Sequence, residues 1–382
     1  MEKKEKKVEY LELIYDLIFV YLIGRNNSLL HTLHNGFLDG GLFLTYVICT
    51  LAVIQIWSYS TFYINRYGRN GIRDHIFLFI NMYLLYHMAE GTRAGWEGYF
   101  KRYNLSWALI LFNIGLQHVI ERKNHKAAPW ELIQLDRSAA VLWIEALIVA
   151  VSIPVHHFTG FTMLAVPAIL VGIFGTIFSG QINVLVPVDF EHLTERVMLY
   201  IVFTFGEMII GISAYFEAGI SANTIYFSLM AFLVVAGLFL CYEILYDHVI
   251  DREKVTSGTG YMMIHVFVIF SLNNITTALE LMQEEEAELF PKILFLTGSF
   301  LLYFILLFLL EMYAKKSCRP DRKFILSLAG SLFGFVIMML LFRRFMYVNI
   351  LISVVYIFGV VFLLYYRSIQ RKSNLKNRSE KQ

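Results

Sequence analysis

The chain has 382 residues, of which 58% are hydrophobic and only 16% are charged, and its formal net charge is +2. Its mean hydropathy is +0.59, whereas soluble domains are about 45–50% apolar and about 25% charged. This composition excludes a soluble globular protein and indicates an integral membrane protein. Because each span needs about 20 apolar residues, the chain has room for on the order of a dozen membrane-spanning helices and for little else.

Apolar runs separated by polar breaks predict an all-α, polytopic helical bundle with about twelve transmembrane helices. The breaks contain residues that end helices or that stay out of hydrocarbon, such as Gly68, Pro129, Pro320 and the glutamates at 284–286. In chain order, the predicted spans are 9–32, 38–63, 74–92, 103–120, 138–155, 161–180, 194–216, 222–246, 257–280, 293–313, 324–342 and 347–366.

Lys and Arg concentrate in the segments that would lie on the same side of the membrane as the N-terminus. Basic residues accumulate on the cytoplasmic side of membrane proteins, so both termini are predicted to be cytoplasmic. The predicted organisation comprises a basic N-terminus (1–8), a first six-helix half (9–180), a cytoplasmic linker (181–193), a second six-helix half (194–366) and a basic tail (367–382). Two six-helix halves would share one orientation and would therefore be parallel repeats.

Glu12 and Asp16 lie within the first apolar run, where ionisable residues are rare and tend to mark function. Their i, i+4 spacing places both carboxylates on one face of a helix, so they are expected to face the bundle interior together. They are candidates for carrying a proton or for lining a cavity. The alternative is a structural role, in which neighbouring helices or a base such as Arg196 pair with them.

Further polar side chains in predicted spans extend this set of candidates. Glu207, in the seventh span, lies too deep to reach the surface easily, so it is expected to line a cavity or carry a proton, as are Glu145 and His265. His192, Glu195 and Arg196 are expected to form an interhelical clasp, although charges at a helix end can also simply be solvated. The secondary candidates are His87, Glu90, Asn273 and Glu280.

Motifs for cofactor, metal or nucleotide chemistry are not recognisable in the sequence. Cys49, Cys241 and Cys318 are too scattered for a disulfide framework or a zinc site. No Walker loop, His-Glu-x-x-His helix or Gly-x-Ser-x-Gly elbow occurs. We therefore expect no metal and no cofactor, and the absence of a catalytic motif argues against an enzyme. The basic residues flank the spans, so the expected environment is a lipid bilayer and not nucleic acid.

Three segments resemble the bacterial low temperature requirement A family. Residues 12–20 read Glu-Leu-Ile-Tyr-Asp-Leu-Ile-Phe-Val, similar to the opening Glu-Leu-Phe-Phe-Asp-Leu-Val-Phe-Val signature of that family. Residues 192–196, followed by Gly206 and Glu207, are similar to its His-Leu-x-Glu-Arg and Gly-Glu pattern, and Tyr261 with His265 resembles the opening of a late span. The resemblance implies a multi-pass protein of a bacterial cytoplasmic membrane, but the family has no settled molecular activity.

The number of spans, the asymmetry of the basic loops and the buried acids favour a proton-coupled secondary transporter or permease. Its substrate would be a small molecule or an ion whose identity the sequence does not give. The alternatives are an intramembrane enzyme that acts on a lipid or lipid-linked substrate, with histidines and carboxylates as acid and base, and a non-catalytic membrane partner whose charges only join helices. The sequence does not predict the oligomeric state.

Overall fold

The computed structural model describes residues 6–31, 33–34, 36–92, 96–124, 128–217, 221–283 and 287–379. These residues are overwhelmingly helical. In chain order the helices are α1 (Tyr10–Asn27), α2 (Gly40–Tyr67), α3 (Ile72–Glu90), α4 (Trp96–Asn124), α5 (Pro129–Thr159), α6 (Ala165–Phe178), α7 (Gly180–Leu185), α8 (Phe190–Gly211), α9 (Ala214–Glu217), α10 (Ala222–Ile244), α11 (Thr259–Gln283), α12 (Leu289–Leu309), α13 (Arg322–Leu341) and α14 (Met346–Ser379).

Short elements connect some of these helices. A 3₁₀ turn (Ser28–His31) follows α1, and the two-residue strands β1 (Leu33–His34) and β2 (Phe37–Leu38) form a small sheet before α2. A π-helical turn (Leu245–Val249) continues α10. Two further 3₁₀ turns, Leu310–Tyr313 and Lys316–Cys318, connect α12 to α13.

Local chemistry explains where several helices begin and end. Asp39 accepts hydrogen bonds from the backbone N–H groups of Gly41 and Leu42 at the start of α2, each at 2.9 Å, and the side chain of Asp321 accepts from Phe324 N at the start of α13. Such caps satisfy N–H groups that have no partner within the helix. Gly160 ends α5 in the left-handed conformation, with φ of 70°, which glycine adopts without steric cost.

Seven of the helices in the described ranges are long and apolar enough to cross a membrane by themselves. They are Gly40–Tyr67, Pro129–Thr159, Ala222–Val249, Thr259–Gln283, Leu289–Tyr313, Arg322–Leu341 and Met346–Ser368. The all-α membrane bundle expected from composition is therefore confirmed. Helices α1, α3, α4 and α8 overlap four further predicted spans but contain more polar and charged residues, and the number of twelve spans stays a prediction.

The chain folds into two compact units. The first holds the described residues of 1–32, 38–203 and 253–266, and the second holds those of 33–37, 204–252 and 267–382. In the first unit, α5 packs against α4 and α6, and α1 packs against α2 and α3. In the second unit, α10 packs against α14, and α13 packs against α12 and α14. Most of the candidate residues lie in the first unit.

Candidate functional site

Arg196 of α8 lies between the two carboxylates of α1. Its side chain is completely buried, its Nη2 and Nε contact Asp16 Oδ1 and Oδ2 at 2.9 and 3.2 Å, and its Nη1 lies 3.0 Å from Glu12 Oε2. The planar guanidinium matches two carboxylate oxygens at once, which favours Arg over Lys at such a position. Glu12 and Asp16 thus face the same partner, as their i, i+4 spacing allows.

Asp16 has a third donor. The indole Nε1 of Trp57, on α2, donates to Asp16 Oδ1 at 2.8 Å, and the Trp57 ring stacks on Tyr200 of α8 with centroids 4.4 Å apart. Asp16, Trp57 and Tyr200 are all fully buried. Three N–H groups therefore hold the Asp16 carboxylate in place between α1, α2 and α8, where water does not reach it.

His192 completes the contacts of Glu12, and its tautomer follows from Asn65. The backbone N–H of Asp189 donates to Asn65 Oδ1 at 2.9 Å, which orients the amide so that Asn65 Nδ2 donates to Asp189 O at 2.9 Å and to His192 Nδ1 at 3.0 Å. A neutral imidazole that accepts at Nδ1 carries its proton on Nε2. His192 Nε2 lies 3.5 Å from Glu12 Oε2, so the ring presents an N–H to that carboxylate.

A cavity of about 740 Å³ adjoins this network at the N-terminal end of α1. Its walls include Lys6, Glu12, Gly68, Arg69 and Asp74, so Glu12 belongs to both the cavity and the buried network. Lys6 donates from Nζ to the carbonyl groups of Ile64 and Gly68, at the end of α2. Burial lowers the pKa of the Lys6 ammonium, and the Glu12 carboxylate opposes this shift. The volume lies within the range of small-molecule pockets, about 300–1,000 Å³.

Glu145 belongs to a separate polar cluster of the first unit. It is fully buried on α5, and Tyr59 of α2 donates from its hydroxyl to Glu145 Oε2 at 2.8 Å. Gln55, one turn before Tyr59, donates from Nε2 to the Tyr59 hydroxyl, also at 2.8 Å. Gly172 of α6 lies against the ends of all three side chains.

In the second unit, the carboxylates of Glu207 on α8 and Glu280 on α11 interact electrostatically. Both side chains are half-buried. Gly211 lets the Glu280 carboxylate lie against α8, because a Cβ atom at position 211 would lie 2.7 Å from Glu280 Oε1. Asn273 of α11 donates to Ile269 O of its own helix at 3.1 Å.

The remaining candidates are not part of these clusters. His265 is fully buried, with Nδ1 2.8 Å from Tyr261 O of its own helix and its ring 4.1 Å from the Tyr261 ring. His87 lies 3.0 Å from Arg102 Nη2, and Glu90 accepts from Tyr21 at 3.2 Å. Glu195 is half-buried on α8. The structure thus brings together Glu12, Asp16, His192 and Arg196.

Sequence reasoning missed four residues that complete these clusters: Trp57, Asn65, Gln55 and Tyr59. All four lie on α2, which reads as an apolar span. The one available signal is the spacing of Gln55 and Tyr59, because polar side chains at i and i+4 share a helix face.

The hydrogen bond from Trp57 to Asp16 has a measurable effect on stability. Hydrogen bonds to charged groups contribute about 1.5–3 kcal/mol, so Trp57→Phe is expected to lower the free energy of unfolding by about 2 kcal/mol more than a matched substitution without this bond. Trp107→Phe is the matched control, since Trp107 is equally buried and its Nε1 has no hydrogen-bond partner among the residues that the structure describes. Unfolding in mixed detergent micelles measures the loss of stability of each variant. Equal losses for the two variants would contradict the hydrogen bond from Trp57 to Asp16.

The spanning helices and the polar clusters inside the first unit define an all-α, multi-pass membrane protein with a charged interior. A family model described as bacterial low temperature requirement A protein (LtrA) matches residues 7–362. The chain belongs to this family, which confirms the resemblance found in the sequence. Comparisons with curated proteins and with solved structures find no match.

Proposed function

We propose that this protein is a proton-coupled secondary transporter or permease of the bacterial cytoplasmic membrane. The observation that carries the proposal is the position of Glu12, which lies on the wall of the 740 Å³ cavity and also contacts the fully buried Arg196. A solute that enters the cavity can therefore contact the Glu12 carboxylate, which in turn contacts Arg196 inside the helical bundle.

The charges of the network are unequal. Within the buried cluster, Glu12 and Asp16 carry two negative charges when both are ionised, and Arg196 carries one positive charge. Lys6 lies outside this cluster, on the cavity wall, with its Nζ on the carbonyl groups of Ile64 and Gly68. A net charge inside a membrane protein is costly. Binding one proton, or one positive group of a solute, would remove the surplus, so the site is suited to exchanging one positive charge with the cavity.

The two carboxylates have different surroundings, which suggests different roles. Asp16 is held by two atoms of Arg196 and by Trp57, and it is fully buried. Glu12 is 4% exposed and lines the cavity. In the proposed mechanism Asp16 fixes Arg196, whereas Glu12 exchanges the proton, and His192 with its N–H keeps the Glu12 side chain oriented.

The finer topology belongs to the same proposal. With twelve spans in two parallel six-helix repeats and both termini cytoplasmic, the cavity would open to the cytoplasm, because it lies beside Lys6 and the loop after α2. The carboxylate pair Glu207 and Glu280 would belong to the outer half of the membrane, as a second place where a proton neutralises like charges.

A non-catalytic membrane partner is the second candidate, since the pairing of Arg196 with both carboxylates also suits a purely structural clasp. A flux assay separates the two. The purified protein is reconstituted in liposomes that contain a pH-sensitive dye, and proton flux is driven by a pH gradient with and without a panel of small solutes. Glu12→Gln is expected to reduce flux to the level of empty liposomes while the protein stays folded.

Glu191→Gln is the matched control, because Glu191 is an exposed carboxylate in the first turn of α8. It is expected to leave flux unchanged. Equal flux in wild type and Glu12→Gln would remove Glu12 from coupling. No flux in the wild type under any gradient or with any solute of the panel would overturn the transporter and favour the structural clasp.

A further inference from the structure

Glu145 is a buried acid for which the structure shows no positively charged partner. Its side chain is fully buried in the middle of α5. Within the part of the chain that the structure describes, no Lys, Arg or His forms an ion pair with it. Its one hydrogen bond there comes from the Tyr59 hydroxyl. Asp16 is equally buried but has Arg196 beside it, so the two acids differ in charge compensation and not in burial.

Two oxygen atoms of the cluster lack partners. Glu145 Oε1 and Gln55 Oε1 are both buried without a hydrogen bond in the described structure. The other polar atoms of these two side chains, Glu145 Oε2 and Gln55 Nε2, lie against Gly172. A Cβ atom built on Gly172 would lie 2.6 Å from Glu145 Oε2 and still closer to Tyr59 Oη and Gln55 Nε2. Three polar groups thus meet in one small volume that holds one acid and no base.

An ionised carboxylate in these surroundings would be expensive, because an uncompensated charge inside the membrane costs several kcal/mol. One proton removes the charge and also turns an acceptor atom into a donor. The cluster already contains an acceptor without a partner, Gln55 Oε1. We propose that Glu145 holds an exchangeable proton and that Gln55, Tyr59 and Gly172 form the binding site for it.

A second cavity extends from this site toward the C-terminal end of α2. It has a volume of about 50 Å³, which is enough for water molecules, and its walls include Tyr59, Tyr67, Gln134, Thr176 and Asn183. Tyr59 and Tyr67 are eight residues apart on α2, so the cavity covers about 12 Å of that helix. Tyr59 lies on its wall and contacts Glu145, and a proton would therefore pass through the Tyr59 hydroxyl.

The neighbouring elements place few titratable groups along this route. Helix α2 contributes Tyr63, Arg66 and Tyr67 in addition to Tyr59, and α4 contributes His118. The cavity wall also includes Gly175 and Thr176 of α6, Ser179 between the two helices and Asn183 of α7, none of which titrates. The guanidinium of Arg66 donates to Val186 O and Ser257 O, and is therefore engaged away from Glu145.

Infrared spectroscopy of the purified full chain tests the proposal directly, because a protonated buried carboxyl has a C=O absorption separate from that of a carboxylate. The wild type at neutral pH is expected to show this absorption, and Glu145→Gln is expected to lose it. Asp16→Asn is the matched control and should retain it, since the contacts of Asp16 with the Arg196 guanidinium favour the carboxylate form. Tyr59→Phe should shift the frequency of this C=O absorption, because the carboxyl loses its hydrogen bond. It should also slow the isotope shift of the absorption after transfer to D₂O.

The proposal is overturned if Glu145→Gln leaves the absorption unchanged. It is also overturned if replacing choline chloride with sodium chloride abolishes the absorption, which would assign the site to a metal ion. Should Glu145→Gln fail to fold, the Tyr59→Phe frequency shift decides the question. The infrared measurement does not depend on transport. A negative flux assay therefore does not contradict the proton on Glu145, and a negative infrared result does not contradict the proposed role of Glu12.

Discussion

Arg196→Met is expected to lower the free energy of unfolding by about 3–5 kcal/mol, the cost of breaking a buried ion pair by removing one partner. The substitution keeps an unbranched apolar stem but removes the guanidinium that contacts Glu12 and Asp16 at 3.0 and 2.9 Å. Two buried carboxylates then remain without compensation. Unfolding in mixed detergent micelles, followed by circular dichroism, measures the change.

Matched variants separate the loss of charge compensation from the loss of packing. Arg137→Met controls for the exchange of an arginine for a methionine in itself, since Arg137 is exposed on α5 and is expected to matter little. The triple variant Glu12→Gln, Asp16→Asn, Arg196→Met should recover much of the lost stability, because no uncompensated charge remains. If Arg196→Met costs no more than Arg137→Met, or if the triple variant is less stable than the single one, the network does not hold the helices as described.

The class of the fold could be predicted because lipid imposes a simple rule. Spanning segments must be apolar and must satisfy their own backbone hydrogen bonds, so long apolar runs become helices. The number of spans is harder to predict. Helices such as α1 and α8 carry charged side chains whose burial is compensated only by side chains of neighbouring helices, as Arg196 compensates Asp16. The hydropathy of one segment gives no information about these neighbouring helices.

The site could be predicted only where its residues are close in sequence. Helical periodicity places Glu12 and Asp16 on one face. Their partner Arg196 lies 180 residues beyond Asp16, and the sequence offers it only as one base among several. Trp57 and Asn65 give no signal at all, since an indole or an amide in an apolar helix has many potential partners, and packing alone selects Asp16 and His192.

The Glu145 cluster shows the same limit. The acid stands out in an apolar run, whereas the contribution of Gly172 depends on the distance between α6 and its neighbours. A glycine in a membrane helix often marks a close approach. The sequence does not tell which of the 24 glycines does so, because the relevant quantity is the free space around one missing Cβ atom.

Gly172→Ala is therefore the second substitution with a large expected effect. The added methyl group would lie 2.6 Å from Glu145 Oε2 and closer still to the ends of Gln55 and Tyr59. None of these side chains can yield without breaking the hydrogen bonds among them. Overpacking of this kind costs about 1–3 kcal/mol, although alanine favours a helix over glycine by about 1 kcal/mol. We expect a net loss of stability and a weakened protonated-carboxyl absorption.

Gly298→Ala in α12 provides the matched control, because a Cβ built at that position meets no atom within 4 Å in the described structure, apart from the neighbouring residues and backbone of its own helix. It should gain helix propensity without a clash and leave the infrared absorption unchanged. The double variant Gly172→Ala, Tyr59→Phe should lose less stability than the sum of the two single variants, since the hydroxyl that meets the new methyl group is absent. Equal stability of Gly172→Ala and Gly298→Ala would show that α6 does not approach the Gln55, Tyr59 and Glu145 side chains as closely as described.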